Sequence, residues 1–145
     1  MEEVILEIIG MQNIDKQFDK TTLNTLGTIE EFEDKFVIKY REEQEPPEMP
    51  IDVCVVVAKD EKCVEMTRSG SASSRLVIER SRRNLCHYGT QFGDILMGIS
   101  GYSIEHEPNE HGGKFTFSYD IDINGALASK KRVKLSYKKK KQPNK

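Results

Sequence analysis

The chain has 145 residues, of which 37% are hydrophobic and 32% charged, and its formal net charge is −2. This length suits one domain with a sizeable core, and no apolar run approaches the roughly 20 residues of a membrane-spanning helix. The acidic start Met1-Glu2-Glu3 is unlike a secretory signal. Three cysteines without a CxxC pair favour reduced thiols in the cytoplasm over disulfides or a thiolate zinc site.

The charge is unevenly distributed along the chain. Residues 1–65 carry 17 acidic and 7 basic side chains, whereas residues 66–145 carry 7 acidic and 15 basic ones. A basic pole that faces RNA or a membrane is one interpretation of this asymmetry. We favour the other interpretation, which is a solvated, solubilising surface.

Alternating apolar and polar residues predict many short β-strands, because a side-chain period of two belongs to a strand with one buried face. Gly27, in the second strand, indicates a bulge or a sharp bend. Loops are predicted over 43–50, 69–74, 80–83 and 107–113. The predicted strands, in chain order, are Val4–Met11, Thr21–Glu33, Phe36–Glu42, Ile51–Lys59 (apolar enough to be covered on both faces), Cys63–Arg68, Leu76–Ile78, Leu85–Phe92, Asp94–Glu105 and two arms of a final hairpin.

The final hairpin has the clearest pattern. Asn124-Gly125 supplies the positive φ angles of a type I′ turn, and the return arm Arg132–Tyr137 repeats the alternation of the first arm. In the first arm, the polar residues Thr116, Ser118, Asp120 and Asp122 are expected to face outward. The apolar residues expected to face inward are Phe115, Phe117, Tyr119, Ile121 and Ile123.

Short strands joined by tight turns predict an all-β fold. A meander removes its exposed edges by closing, so we expect an antiparallel up-and-down β-barrel of about eight to ten strands. Residues 1–137 are expected to form this single domain, as a monomer or a homodimer. The basic segment 138–145 is expected to be a disordered tail.

Four segments occur in a characteristic order: Tyr40-Arg41-Glu42-Glu43, Met66-Thr67-Arg68-Ser69-Gly70, Tyr88-Gly89-Thr90-Gln91-Phe92-Gly93 and Tyr119-Asp120-Ile121. In this order they resemble the YwiB-like bacterial proteins, a family of unknown function with a calycin, lipocalin-like barrel. The resemblance implies such a barrel in a bacterial cytoplasm, and it implies no catalytic residue. The chain departs from lipocalins in having no Trp, the residue that closes one end of their barrel by stacking under an Arg.

Arg68 is the first candidate for a functional residue. It shares a strand face with Val64 and Met66, so it points into the barrel if they do. A guanidinium there could grip a carboxylate or phosphate with two hydrogen bonds. The alternative is an ion pair with Glu42, which shares a face with Tyr40, because a buried charge needs a partner.

The other candidates carry hydroxyl groups. Tyr88 and Thr90 lie on one face with Phe92, and Tyr119 lies on the inner face of the final hairpin. Such hydroxyls could orient a ligand in an otherwise apolar cavity, or they could be core residues with local hydrogen bonds. The candidate ligand-binding set is therefore Arg68, Tyr40, Glu42, Tyr88, Thr90 and Tyr119.

No sequence motif indicates catalysis, a metal or a cofactor. The chain has no phosphate-binding glycine loop and no nucleophile elbow. His106 and His111 lie among glutamates, but a polar loop explains that composition without a metal. Nucleic-acid binding is disfavoured, because the basic clusters lack exposed aromatic residues: Tyr137 and Phe92 are assigned to the core.

Three functions therefore stay open. The first is non-catalytic binding of a small anionic or amphipathic molecule inside the barrel. The second is a protein- or RNA-interaction module that uses a basic surface around a filled barrel. The third is an enzyme of unknown reaction, for which no sequence motif speaks. A hollow or a packed interior distinguishes the first two.

Overall fold

The computed structural model describes residues 1–70, 73–90 and 93–140, with only the backbone of residues 88–90 and 94. The described chain is all-β, as predicted, and contains no helix. Its ten strands are β1 (Glu2–Ile14), β2 (Gln17–Glu31), β3 (Lys35–Glu42), β4 (Ile51–Ala58), β5 (Cys63–Ser69), β6 (Ser74–Glu79), β7 (Arg83–Thr90), β8 (Gly93–Asn109), β9 (Gly112–Ile123) and β10 (Ala126–Lys139).

These strands form one closed antiparallel barrel. Each strand pairs with the next along the chain, and β1 also pairs with β10. This confirms the predicted up-and-down topology, although two seams pair only in part in the described chain: β6 meets β7 at the single pair Ser74–Tyr88, and β2 meets β3 only from Gly27 to Glu31. Over the described ranges, no helix has the length and hydropathy that crossing a membrane requires.

The connections lie at two ends of the barrel. The end that holds the β2–β3, β4–β5, β6–β7 and β8–β9 connections and the start of β1 is called the base. The opposite end, which holds the β1–β2, β3–β4, β5–β6, β7–β8 and β9–β10 connections, is called the mouth.

The middle of the barrel is filled with apolar side chains. Val4, Leu6, Ile38, Ile78 and Ile99 are all 0% exposed, so not even a water molecule reaches them. Around these residues, in the described part of the chain, the interior is packed rather than hollow. Such packing stabilises the barrel through apolar burial and leaves little internal space for a long ligand.

The final hairpin confirms the sequence pattern closely. Asn124 has φ 54° and Gly125 has φ 85°, and Ile123 pairs with Ala126, as a two-residue type I′ turn requires. Ile123 itself is 40% exposed, because it is the last residue of β9 at the mouth. The buried residues of the alternating set are Phe115, Phe117, Tyr119 and Ile121.

The two interior glycines differ in their roles. A bulge or a sharp bend was expected at Gly27, and no bulge is present, since β2 keeps an unbroken register with β1 and β3 there. A Cβ on Gly27 would lie 2.5 Å from Leu6 Cδ1 and from the Lys39 carbonyl oxygen, so glycine permits a close approach of the strands. Register shifts of one residue lie instead in β8, between Gly101 and Ile104, and in β10, between Leu127 and Ser129.

Two predicted boundaries and one predicted burial pattern need correction. The loop expected over 107–113 contains only Glu110 and His111, because cross-strand pairing continues to the Asn109–Gly112 pair. The tail was expected from Lys138, but Lys138 and Lys139 pair with β1; residues 141–145 lie outside the described chain. Strand β4 was expected to be covered on both faces, but the described chain packs no second layer on the barrel, and Cys54 on the outer face of β4 is half-buried.

Candidate anion site at the mouth of the barrel

An ion pair between Arg68 and Glu42 lies on the inner side of the mouth. Arg68 Nη1 and Nη2 donate to the two Glu42 carboxylate oxygens at 3.1 and 2.6 Å. Arg68 on β5 and Tyr40 on β3 flank the same residue of β4, Val53, so the three share the inner face. The Arg68 side chain is 35% exposed and that of Glu42 is 19% exposed. The structural alternative for Arg68 is therefore present.

Two phenol groups lie close to this pair. Tyr40 and Tyr119 are buried, at 7% and 4% exposure, and burial raises the pKa of each to about 12. Both phenols therefore stay protonated at neutral pH and can donate a hydrogen bond. Within the described chain, neither hydroxyl has a hydrogen-bond partner, and neither is sealed off from solvent.

Lys131 is a further charged group of the interior, and sequence analysis missed it. It pairs with Tyr119 on one side and Gln12 on the other, and Val133, two residues along, packs against the core. Burial lowers the pKa of Lys131, and the charge of Arg68 lowers it further. Lys131 has no carboxylate partner or hydrogen bond among the described residues.

The signal for Lys131 was present in the sequence. The predicted return arm begins at Arg132, and its alternation places Val133, Leu135 and Tyr137 on one face. One more step of the same alternation reaches Lys131. Lysine is usually a surface residue, and only the fold shows that the barrel wall continues there.

These side chains form a site suited to an anion. The positive charge of Arg68 lowers the pKa of Tyr40, Tyr119 and Lys131, which for the two phenols opposes the larger effect of burial. Two cationic groups face one carboxylate, and three donors have no acceptor in the described chain. A carboxylate or phosphate would supply both the missing charge and the missing acceptors.

The structure describes two other predicted site residues only in part. The backbone of Tyr88 pairs with Ser74 of β6, and Ser74 pairs on its other side with Arg68. Tyr88 therefore extends the row of residues at the mouth. The side chains of Tyr88 and Thr90 lie outside the described part of the chain. The site therefore brings together Arg68, Glu42, Tyr40 and Tyr119 of the predicted set, with Lys131 added.

An aromatic plug closes the base, and it consists of Phe36, His106, Phe115 and Tyr137. The His106 ring stacks on Phe115 at 4.3 Å between centroids and meets Phe36 edge-on at 4.8 Å. Its Nε2 is hydrogen-bonded to the Tyr137 hydroxyl at 2.8 Å, and burial lowers the pKa of His106. This imidazole lies inside the barrel, where the loop interpretation had not placed it.

His111, by contrast, lies exposed at the tip of the β8–β9 turn, 3.9 Å from Glu110. The residues that the structure describes contain no group of three or more His, Cys, Asp or Glu side chains arranged to hold a metal.

The basic segment before β7 is largely paired with carboxylates. Arg83 Nε and Nη2 donate to Asp122 at 2.9 and 2.7 Å, and Arg82 lies 3.6 Å from Glu79. The Arg83 pair crosses directly over Gly98, where a Cβ would collide with the guanidinium. These arginines therefore stabilise the sheet locally and leave little free charge.

Comparison with known proteins agrees with the fold. Residues 6–135 match the family described as a domain of unknown function (DUF1934). The crystal structure of the ywiB protein from Bacillus subtilis superposes with a TM-score of 0.82 at 18% identity, covering 97% of this chain and 93% of that one; at this identity, the likeness shows the fold alone. No curated protein matches the chain. With nearly its whole length matched, the chain belongs to the DUF1934 family, as the resemblance to YwiB-like proteins predicted.

Proposed function

We propose that the protein binds a small organic anion at the mouth of its barrel, held by Lys131 and oriented by Tyr40 and Tyr119. The observation that carries the proposal is Lys131, a half-buried cation with no counter-ion in the described chain. A protein that needed only stability would gain by replacing it with an apolar residue. Unpaired, desolvated charges of this kind concentrate at binding sites.

Arg68 has a positioning role in this proposal. Its guanidinium is already engaged by Glu42 through both Nη atoms. It therefore contributes positive potential at the mouth and keeps Glu42 away from the donors of Tyr40 and Lys131. Direct contact with the anion comes from the groups without partners.

The packed middle of the barrel limits the apolar part of the ligand. Half-buried apolar residues such as Met66, Leu76 and Met97 adjoin the core and can contact a few carbon atoms. Beyond them lie side chains that water does not reach. The ligand we propose is accordingly short, and the three unpaired cysteines are in keeping with a cytoplasmic protein.

Isothermal titration calorimetry with acetate, butanoate, octanoate and inorganic phosphate, at constant ionic strength, tests the proposal. We expect binding of the carboxylates with an affinity that rises by about 0.8 kcal/mol per CH₂ over the first few carbons and then levels off. Lys131→Gln should abolish the binding. Lys130→Gln, its outward-facing neighbour, is the matched control and should leave it unchanged.

Affinity that is equal for Lys131→Gln and the natural sequence would contradict the proposal. So would the absence of heat with every anion at concentrations that saturate ordinary weak sites. A steady gain in affinity up to long fatty acids would contradict the packed interior as a limit on ligand size.

A further inference from the structure

We propose that a groove on the outer surface of the barrel binds single-stranded nucleic acid. The groove has a volume of about 620 Å³ and crosses β1, β10 and β9. Lys130 and Arg132 line it, and so do Phe18 and Tyr102, which come from the strands on either side. Lys131 and Tyr119 of the anion site also contribute to its lining, although they alternate with the outward-facing residues of β10 and β9.

The groove carries positive charge that the protein leaves unpaired. Lys130, Arg132 and Lys134 alternate along the outer face of β10, and Lys20 lies across β1 from Arg132. None of these four has an ion pair among the described residues. In this they differ from the outer-face arginines Arg41, Arg75 and Arg83, each of which contacts a carboxylate at 2.7–2.9 Å.

The acidic residue of the groove is also occupied. Asp120 pairs in register with Lys130, but its Oδ2 accepts a 2.6 Å hydrogen bond from the Tyr102 hydroxyl. The same bond holds the Tyr102 ring in place beside the bulge of β8. The groove therefore has a net positive charge and a fixed aromatic wall.

The two aromatic side chains provide stacking surfaces at opposite sides of this positive floor. Phe18 is 67% exposed and Tyr102 is 55% exposed. Four strand spacings separate β2 from β8, or about 19 Å along the sheet. Exposed aromatic rings on both sides of a row of cations match the alternation of bases and phosphates in a single strand. An acidic peptide would use the cations but not the ring faces.

The sequence disfavours nucleic-acid binding because Tyr137 and Phe92, the aromatic residues near the basic segments, are assigned to the core. Phe18 and Tyr102 lie far from β10 in sequence and become its neighbours only through barrel closure.

Fluorescence anisotropy with labelled oligouridine of about 12 nucleotides tests this proposal, since such a length covers the usual site size of single-strand binding folds. Phe18→Ala and Tyr102→Ala should each weaken binding by roughly 5- to 150-fold. Tyr102→Phe keeps the ring and should bind nearly as well as the natural sequence.

The salt dependence of binding tests the cations. If all four cations contact phosphates, the logarithm of the association constant should fall with the logarithm of the salt concentration at a slope of about −2.8, and Arg132→Gln should make this slope shallower by about 0.7.

Matched controls lie on other surfaces of the barrel. Phe32→Ala removes another exposed aromatic side chain, at the base, and Arg75→Gln removes a cation that is paired with Glu65. Both should bind oligouridine like the natural sequence. Unchanged binding in Phe18→Ala and Tyr102→Ala, an unchanged salt slope in Arg132→Gln, or equal affinity for polyglutamate would each overturn the proposal.

Discussion

Two cations inside the mouth, Arg68 and Lys131, are tolerated for different reasons. Arg68 has a carboxylate partner with two hydrogen bonds, whereas Lys131 has none in the described chain. Removing one member of a buried ion pair leaves the other charge without compensation, which destabilises the fold. Removing an unpaired buried charge removes the cost of its desolvation. The two residues should therefore respond in opposite directions to the same substitution.

Arg68→Met should destabilise the fold by about 1–2 kcal/mol at pH 7, because it leaves the Glu42 carboxylate without its partner. The estimate is reduced for the 35% exposure of Arg68, since solvent screens part of the interaction. Urea unfolding measures the effect. Glu42→Gln in the Arg68→Met background should restore most of the loss.

The outer-face pair Arg75–Glu65 is the control for this prediction, because the Arg75 side chain is 64% exposed. Arg75→Met should cost at most about 1 kcal/mol. An Arg68→Met variant as stable as the natural sequence would show that the pair at the mouth contributes nothing to stability.

At the level of the strands, sequence alternation predicted the elements well and their irregularities poorly. Four inward residues of β9 and the Asn124-Gly125 turn follow from the sequence, because a strict alternation and a two-residue turn fix the register. The bulge in β8 does not follow, since its extra residue depends on how β9 pairs with it. Past that bulge the inward parity changes, and His106 enters the barrel.

The candidate site was predictable to the same extent. Arg68, Glu42 and Tyr40 could be placed by counting along two strands, because both strands are regular. Their contact depended on β4 lying between those strands, which the predicted meander supplies. Lys131 follows from one more step of the alternation of β10, whereas the outer groove required the closure of β10 onto β1, a contact between the two ends of the chain that no local pattern records.

The aromatic plug should make the barrel sensitive to acid through His106. Burial lowers the pKa of His106 below its usual 6.5, so the unfolded chain binds this proton more readily than the folded barrel. The neutral imidazole therefore contributes its full share of the free energy of unfolding above about pH 6.5. This contribution is lost as the pH falls through the lower pKa that His106 has in the folded protein. We expect the stability advantage of the natural sequence over His106→Gln, measured by urea unfolding, to shrink across that range.

His111→Gln is the matched control, because His111 is exposed at the tip of the turn between the same two strands. The free energy of unfolding of His111→Gln should stay close to that of the natural sequence at every pH. If the free energy of unfolding of His106→Gln differed from that of the natural sequence by the same amount at every pH, a buried neutral imidazole in the plug would be contradicted.

As a whole molecule, the protein is a filled barrel with a base closed by aromatic rings and a mouth lined by polar groups. This arrangement differs from a barrel with a deep hollow interior, because its central apolar side chains exclude water. Binding is accordingly expected at the mouth and on the outer wall. The central claim of this account is that Lys131 is kept for an anion at a cost in stability.

The direct test is urea unfolding of the natural sequence and Lys131→Met, with and without octanoate, at pH 7. Because burial and Arg68 lower the pKa of Lys131, its charged form costs stability below that lowered pKa, and the cost fades as the pH rises towards 10.5. We predict that Lys131→Met is more stable than the natural sequence by about 0.5–1 kcal/mol without ligand, and that octanoate stabilises only the natural sequence. A less stable Lys131→Met, or equal stabilisation of both proteins by octanoate, would contradict the account.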